Sequence, residues 1–75
     1  MPSTEDLKQR IEEAIPGSQA EVTDLTGGGD HFRATVVAPE FSGLTRLQQH
    51  RRVYDVFGAE IGGAIHALSL QTRAE

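Results

Sequence analysis

Three histidines are the side chains of this sequence with the widest chemical scope, because a neutral imidazole nitrogen is a common metal ligand. They are His31, His50 and His66. The sequence has no cysteine, so this chain supplies no disulfide, no thiolate ligand and no cysteine nucleophile. Metal binding through imidazole is therefore the first chemistry to consider.

Two of these histidines are expected to lie close together. His31 immediately precedes a strand predicted at residues 32–38, and His66 is the second residue of a strand predicted at residues 65–71. A helix between the two strands makes a β-α-β unit, whose strands run parallel and begin at the same edge of the sheet. Neighbouring strands are about 4.8 Å apart, so both imidazoles would reach one metal centre, even with one strand between them.

Two imidazoles do not complete a metal site, since structural zinc takes four protein ligands and catalytic zinc usually three. The missing ligands could come from a carboxylate such as Asp30 or from a partner protein. A flexible glycine loop before His31 would let its ring adapt to a centre that a second molecule presents. The plainer interpretation makes His31 a loop residue and His66 a half-buried residue on the strand face of Leu68 and Leu70.

We predict a different role for His50. It falls in the middle of the apolar arc of the second predicted helix, and we expect a packed, hydrogen-bonded core or boundary residue rather than a ligand. The apolar residues on this arc are Leu47, Val53, Tyr54, Phe57 and Ile61.

The elements that position these residues alternate between helical and extended patterns. Ser3 and Thr4 are oxygen-bearing caps before a stretch with apolar residues at helical spacing, which Pro16-Gly17 ends. The glycine run at residues 27–29 separates two strand patterns and predicts a hairpin loop. The predicted order is a first helix, strands at residues 20–25 and 32–38, a helix within residues 44–61 closed by Gly62-Gly63, and a strand at residues 65–71, which is an α/β fold.

Length and charge exclude several classes of protein. The 75 residues suffice for one domain, over residues 1–75. Seven basic and eleven acidic side chains leave a net charge of -4, which argues against a protein that coats nucleic acid or an anionic membrane. The apolar stretches are far shorter than the roughly 20 residues that span a bilayer. The acidic start is unlike a targeting peptide, so we expect a cytoplasmic protein.

The ordered motifs of the chain resemble those of the BolA family. They are Asp-His-Phe at residues 30–32, Phe-x-Gly-x-x-Arg followed by Gln-x-His-Arg-x-Val within residues 41–53, and Ile-His-Ala at residues 65–67. The resemblance covers almost the whole chain. It implies a fold similar to class II KH domains, with an α-β-β-α-β order, a three-stranded mixed sheet and helices packed on one face.

The resemblance also implies a partner and a cofactor. Proteins of this family commonly pair with monothiol glutaredoxins of the CGFS type, as a heterodimer that shares a bridging [2Fe-2S] cluster. His66 matches the family's ligand in the last strand, and His31 the second ligand, from the loop between the first two strands. The glutaredoxin contributes its own thiolate and that of bound glutathione. The isolated chain is expected to be a monomer or weak homodimer without a cluster, and its role to be cluster trafficking or iron and redox regulation.

A nucleic-acid-binding regulator is the alternative function. The KH-like fold suggests it, and Arg46, Arg51 and Arg52 lie on the helix where some relatives have been proposed to contact DNA. A helical wheel spreads these arginines around the helix, however, and the chain lacks the Gly-x-x-Gly loop with which KH domains hold the nucleic-acid backbone. The plain interpretation is that the arginines solvate the outer face of the helix.

An enzyme is not expected. The sequence has no Gly-x-Ser-x-Gly elbow, no phosphate-binding glycine loop followed by Lys-Ser or Lys-Thr, and no dinucleotide-binding fingerprint. Asp30 and His31 are consecutive, and consecutive side chains of an extended segment project to opposite sides. They therefore do not form a base with its orienting carboxylate.

Overall fold

The chain folds in the predicted order of helix, strand, strand, helix and strand. A computed structural model describes residues 3–29, 31–63, 65 and 67–74. The α+β class and the three-stranded mixed sheet are confirmed. The elements are α1 (Thr4–Ala14), β1 (Gln19–Asp24), β2 (His31–Val37), α2 (Arg46–Phe57) and β3 (Ala67–Arg73), with short 3-10 turns at Pro39–Phe41 and Gly58–Glu60.

The sheet has the order β1-β2-β3. β1 runs antiparallel to β2, as the hairpin predicts, and β3 runs parallel to β2 because the connection between them passes through α2. β3 lies directly beside β2, with no strand in between. The first residues of β2 and β3 therefore lie at the same edge of the sheet.

The core lies between one face of the sheet and the two helices. Buried and less buried residues alternate along β2, so that Phe32, Ala34 and Val36 point towards the helices. Leu7 and Ile11 of α1 are fully buried. Among the residues that the structure describes, the thirteen buried ones are all hydrophobic. They are Leu7, Ile11, Ile15, Ala20, Phe32, Ala34, Val36, Ala38, Phe41, Val53, Phe57, Ile65 and Leu68.

Helix α2 is shorter than the sequence predicts. It begins after Thr45, whose hydroxyl and backbone exchange hydrogen bonds with Gln48 in a capping box. It ends at Gly58, where φ is +55°, so Ile61 lies beyond the helix and Gly62-Gly63 does not close it.

Leu47 does not join the core as predicted, since 64% of it is exposed. On a helical wheel it lies roughly 100° from the buried Val53 and Phe57. At that angle the Leu47 side chain projects beyond the outer strand β3, where no element of the described part of the chain packs against it.

Among the described residues, no helix is both long enough and apolar enough to cross a lipid bilayer.

Candidate functional site

The edge of the sheet where β2 and β3 begin carries the first candidate residue. His31 is the first residue of β2 and pairs in register with Ala67, the first residue of β3. Its carbonyl accepts a hydrogen bond of 2.8 Å from the N–H of Leu25. The predicted start of both strands at one edge is therefore confirmed for His31. His66, the residue before Ala67 in sequence, lies outside the described residues, and so does Asp30.

His31 lies on the face of the sheet away from the helices. The next residue, Phe32, is buried in the core, so the strand alternation turns His31 and Arg33 to the other face. His31 is half-buried, and the side chain opposite it on β3 is the methyl group of Ala67.

Ile65 is the residue that precedes position 66 in the sequence. Ile65 is fully buried and forms an isolated parallel bridge with Ile61. The N–H of Ile65 donates to the carbonyl of Glu60 at 3.0 Å, and its carbonyl accepts from the N–H of Gly62 at 2.7 Å. These bonds fix how the chain enters β3.

The glycine loop before His31 is organised by a carboxylate. Asp24 accepts hydrogen bonds from the backbone N–H groups of Thr26 at 3.2 Å, Gly27 at 2.9 Å and Gly29 at 2.9 Å. These bonds bring three backbone N–H groups of the loop to one carboxylate. Asp24 was not predicted from the sequence, although an aspartate two residues before a Thr-Gly pair is typical of an Asx turn.

A charged pair holds the turn between α2 and β3 against α1. The guanidinium of Arg10 donates two hydrogen bonds to the Glu60 carboxylate and lies 4.9 Å from the centre of the Phe57 ring. The bond to Arg10 lowers the pKa of Glu60 below its usual range and raises that of Arg10. Because Glu60 also accepts from Ile65 through its backbone, this pair helps to position the entrance to β3.

The described residues do not complete a metal site. They contain no group of three or more His, Cys, Asp and Glu side chains that could hold a metal ion. A metal centre at His31 would need ligands from beyond these residues.

His50 lies in a groove far from His31 along the strands. The groove has a volume of about 430 Å³ and is lined by Arg46 and His50 of α2 and by Leu70, Gln71 and Thr72 of β3. His50 is half-buried, which confirms its predicted boundary position. Within the described ranges its ring forms no hydrogen bond, so that part of the prediction is not met.

The three arginines of α2 differ in their surroundings. Arg52 donates from Nε to Glu40 at 2.9 Å and from Nη2 to the carbonyl of Ala14 at 2.7 Å. It therefore ties α2 to the end of α1 and to the 3-10 turn, rather than only solvating the helix as the plain interpretation has it. Arg46 and Arg51 are exposed.

Comparisons with known proteins agree with this architecture. A family model described as BolA-like protein matches residues 7–75. Human BolA-like protein 1 is 36% identical over 89% of this chain and 54% of its own length. The chain thus spans about half the length of the curated relatives that it matches first.

Two further proteins are similar to this chain. The structure of a BolA protein homologue from Coxiella burnetii has a TM-score of 0.80 and 41% identity, over 96% of this chain and 90% of that one. The DNA-binding transcriptional regulator BolA of Haemophilus influenzae is 34% identical over 59% of this chain and 43% of its own length.

Proposed function

The chain belongs to the BolA-like protein family, and from that premise we propose that it is a non-enzymatic adaptor for a monothiol glutaredoxin. In the proposed heterodimer, His66 and His31 bind a [2Fe-2S] cluster that lies between the two proteins. The glutaredoxin thiolate and bound glutathione complete the coordination. The role of the pair is iron-sulfur cluster trafficking or iron and redox regulation.

The observation that supports this proposal best is the parallel pairing of β2 with β3. It sets His31 opposite Ala67, which directly follows His66 in the sequence. Residues contributed by two neighbouring strands are held more precisely than residues of a free loop.

The donor chemistry of the described residues also fits a shared cluster. They include His31 but no set of three potential ligands, and in the proposed pair His66 and the second protein supply the rest. A bound cluster supplies electron transfer, and neutral imidazoles in place of thiolates raise its potential. The chain's own part is to hold its donors at one edge of a rigid sheet.

Mixing the chain with a cluster-loaded monothiol glutaredoxin tests the proposal. We expect the visible absorption and circular dichroism of the cluster to change when the chain is added, because its ligands change. His66→Ala should abolish this change and His31→Ala should weaken it. His31→Cys should restore binding with a different spectrum, since a thiolate replaces the imidazole.

A variant of β3 two residues beyond Ala67 serves as the control. Ser69→Ala changes an exposed side chain of β3 and should leave the spectral change intact. A wild-type spectrum identical to that of the glutaredoxin alone, or an unchanged response of His66→Ala, would refute the proposal.

A nucleic-acid-binding regulator is the second candidate, because the relative from Haemophilus influenzae carries that function in its name. Arg46 and Arg51 are the exposed arginines of α2 that could contact phosphates, whereas Arg52 is engaged by Glu40 and Ala14. Binding through phosphates should weaken steeply as salt rises, and Arg51→Gln should reduce the salt dependence. If the affinity for DNA changes neither with salt concentration nor in the Arg51→Gln variant, this candidate function is wrong.

A further inference from the structure

The outer edge of β3 presents backbone groups that the sheet does not use. The N–H of Ala38 donates to the carbonyl of Arg73 at 3.1 Å, so the backbone of Arg73 faces β2. Successive residues of a strand direct their N–H and C=O groups to alternate sides. The backbone groups of Leu68, Leu70 and Thr72 therefore face away from β2, and the described part of the chain places no further strand there.

Helix α2 contacts this strand near both ends, at Leu68 through a backbone carbonyl and at Thr72 through its side-chain hydroxyl, which donates to Gln49 Oε1 at 2.7 Å. The hydroxyl of Tyr54 donates to the carbonyl of Leu68 at 2.8 Å, which confirms that this carbonyl faces outward. Further along β3, the edge at Leu70 and Thr72 borders the groove of about 430 Å³ between α2 and β3. An edge strand beside a helix is a geometry that accepts an extended peptide as an additional strand.

The charges of the groove select the kind of peptide. Arg46 and His50 are one helical turn apart on the α2 wall, and the first turn of α2 contains no acidic residue. The chain as a whole carries a net charge of -4, so the cationic Arg46 on this wall contrasts with the rest of the molecule. Negative charge is also favoured near the start of a helix.

The groove has apolar surface as well. Leu70 forms part of its lining. The largely exposed Leu47 shares a helical face with Tyr54, whose hydroxyl reaches the outward carbonyl of Leu68. Apolar side chains that alternate with acidic ones in an extended segment would match this combination.

We propose that an extended acidic segment of a partner protein binds here as a fourth strand. Its backbone pairs with the outward N–H and C=O groups of Leu70 and Thr72, and one of its carboxylates accepts hydrogen bonds from Arg46. This surface is at the far end of β3 from Ala67 and does not involve His31.

Titration of the chain alone with a synthetic peptide tests this inference, so its outcome is independent of any glutaredoxin or cluster. The probe is a peptide of about six residues that alternates glutamate and valine, since about five residues are a typical strand. We expect the amide resonances of Leu70 and Thr72 to shift and their hydrogen exchange to slow. A lysine-valine peptide of the same length should not bind.

Two comparisons separate strand addition from simple charge attraction. Arg46→Gln should weaken peptide binding about tenfold, as expected for the loss of a charge-assisted hydrogen bond. Arg33→Gln, an equal charge change on the opposite face of the sheet, should not. Two peptides N-methylated at alternate nitrogens complete the test. Methylation of the nitrogens that face β3 should abolish binding, and methylation of those that face away should preserve it.

Three results would overturn the inference. The first is no shift at Leu70 and Thr72 with millimolar peptide, and the second is equal binding of the lysine peptide. The third is a shift of these amides with the concentration of the chain alone, which would identify a second copy as the occupant of the edge.

Discussion

Two neighbouring arginines of α2 show how position changes the role of a residue. Arg52 reaches Glu40, 12 positions away, and the carbonyl of Ala14, 38 positions away. Arg51, the residue before it in the helix, is exposed. A local sequence pattern does not distinguish them, because the partners of Arg52 are brought to it only by the packing of α1 and the 3-10 turn.

Replacing these two arginines should therefore have unequal effects on stability. Arg52→Ala removes one hydrogen bond to a carbonyl and one ion pair that is about one-third exposed, so we expect the free energy of unfolding to fall by about 1 kcal/mol. Arg51→Ala should change it by less than about 0.5 kcal/mol. Urea unfolding of both variants measures the difference, and equal effects would show that the Arg52 contacts add nothing to stability.

The residues of the candidate site were predictable to different degrees. The placement of His31 beside the start of β3 follows from strand order, because a β-α-β connection forces parallel strands. The Asx turn of Asp24 was a local signal that the prediction did not use, whereas its bond to the N–H of Gly29, five residues on, lies beyond that turn. The His66 and Asp30 predictions concern residues outside those described and stay predictions.

The residue at which α2 ends is not decided by the sequence pattern alone. The sequence offers a glycine at position 58 and two more at 62 and 63, and each can end a helix. The helix ends at the first of them, and a 3-10 turn, Gly58–Glu60, follows. Tertiary contacts decide between the glycines, since Glu60 binds Arg10 of α1 and Ile65 enters the core.

Alanine substitutions at two of these glycines should separate the roles. Gly58 has φ +55° and ψ -123°, a conformation that side chains with a Cβ rarely adopt, so Gly58→Ala should lower the free energy of unfolding by about 1–2 kcal/mol. Gly63 has no positive φ, and a Cβ there would meet only ordinary contacts at 3.6 and 3.7 Å. Gly63→Ala should therefore leave stability nearly unchanged. Thermal unfolding measures the difference, and an equal fall in the melting temperature of both variants would contradict this account.

At the scale of the whole molecule, two carboxylates connect α1 to distant parts of the chain. Glu60 binds Arg10, and Glu12 binds Lys8 and the backbone N–H of Ala20 at the start of β1. The Lys8 ammonium and the Ala20 N–H hold the pKa of Glu12 below its usual range, and Arg10 does the same for Glu60. Both carboxylates thus favour the folded state while they are ionised.

Acid should weaken the fold through these two groups. Their pKa values are lower in the folded than in the unfolded chain, so the unfolded chain gains protons first as the pH falls below about 4.3. The stabilisation is complete above that pH and is lost as the pH falls through the folded-state values. Urea unfolding between about pH 6 and about pH 3 should show the loss.

Charge-neutralising variants identify the groups responsible. Glu12→Gln and Glu60→Gln should each lower stability near neutral pH and make the acid dependence shallower. Glu13→Gln removes an equal charge from an exposed side chain of α1 that takes part in neither pair. If Glu13→Gln reduces the pH dependence of stability as much as Glu12→Gln and Glu60→Gln do, that dependence comes from general charge repulsion and not from the two hydrogen-bonded carboxylates.

The sequence by itself determined the order of the elements, the mixed sheet and the edge at which His31 lies. These follow from short-range patterns, caps and the rule that a helical crossover joins parallel strands. Only the tertiary structure decided where α2 ends, why Leu47 is exposed, which arginine is engaged, and that the outer edge of β3 borders a groove. Each of these depends on contacts between residues far apart in the chain, and such contacts form only when the helices pack on the sheet.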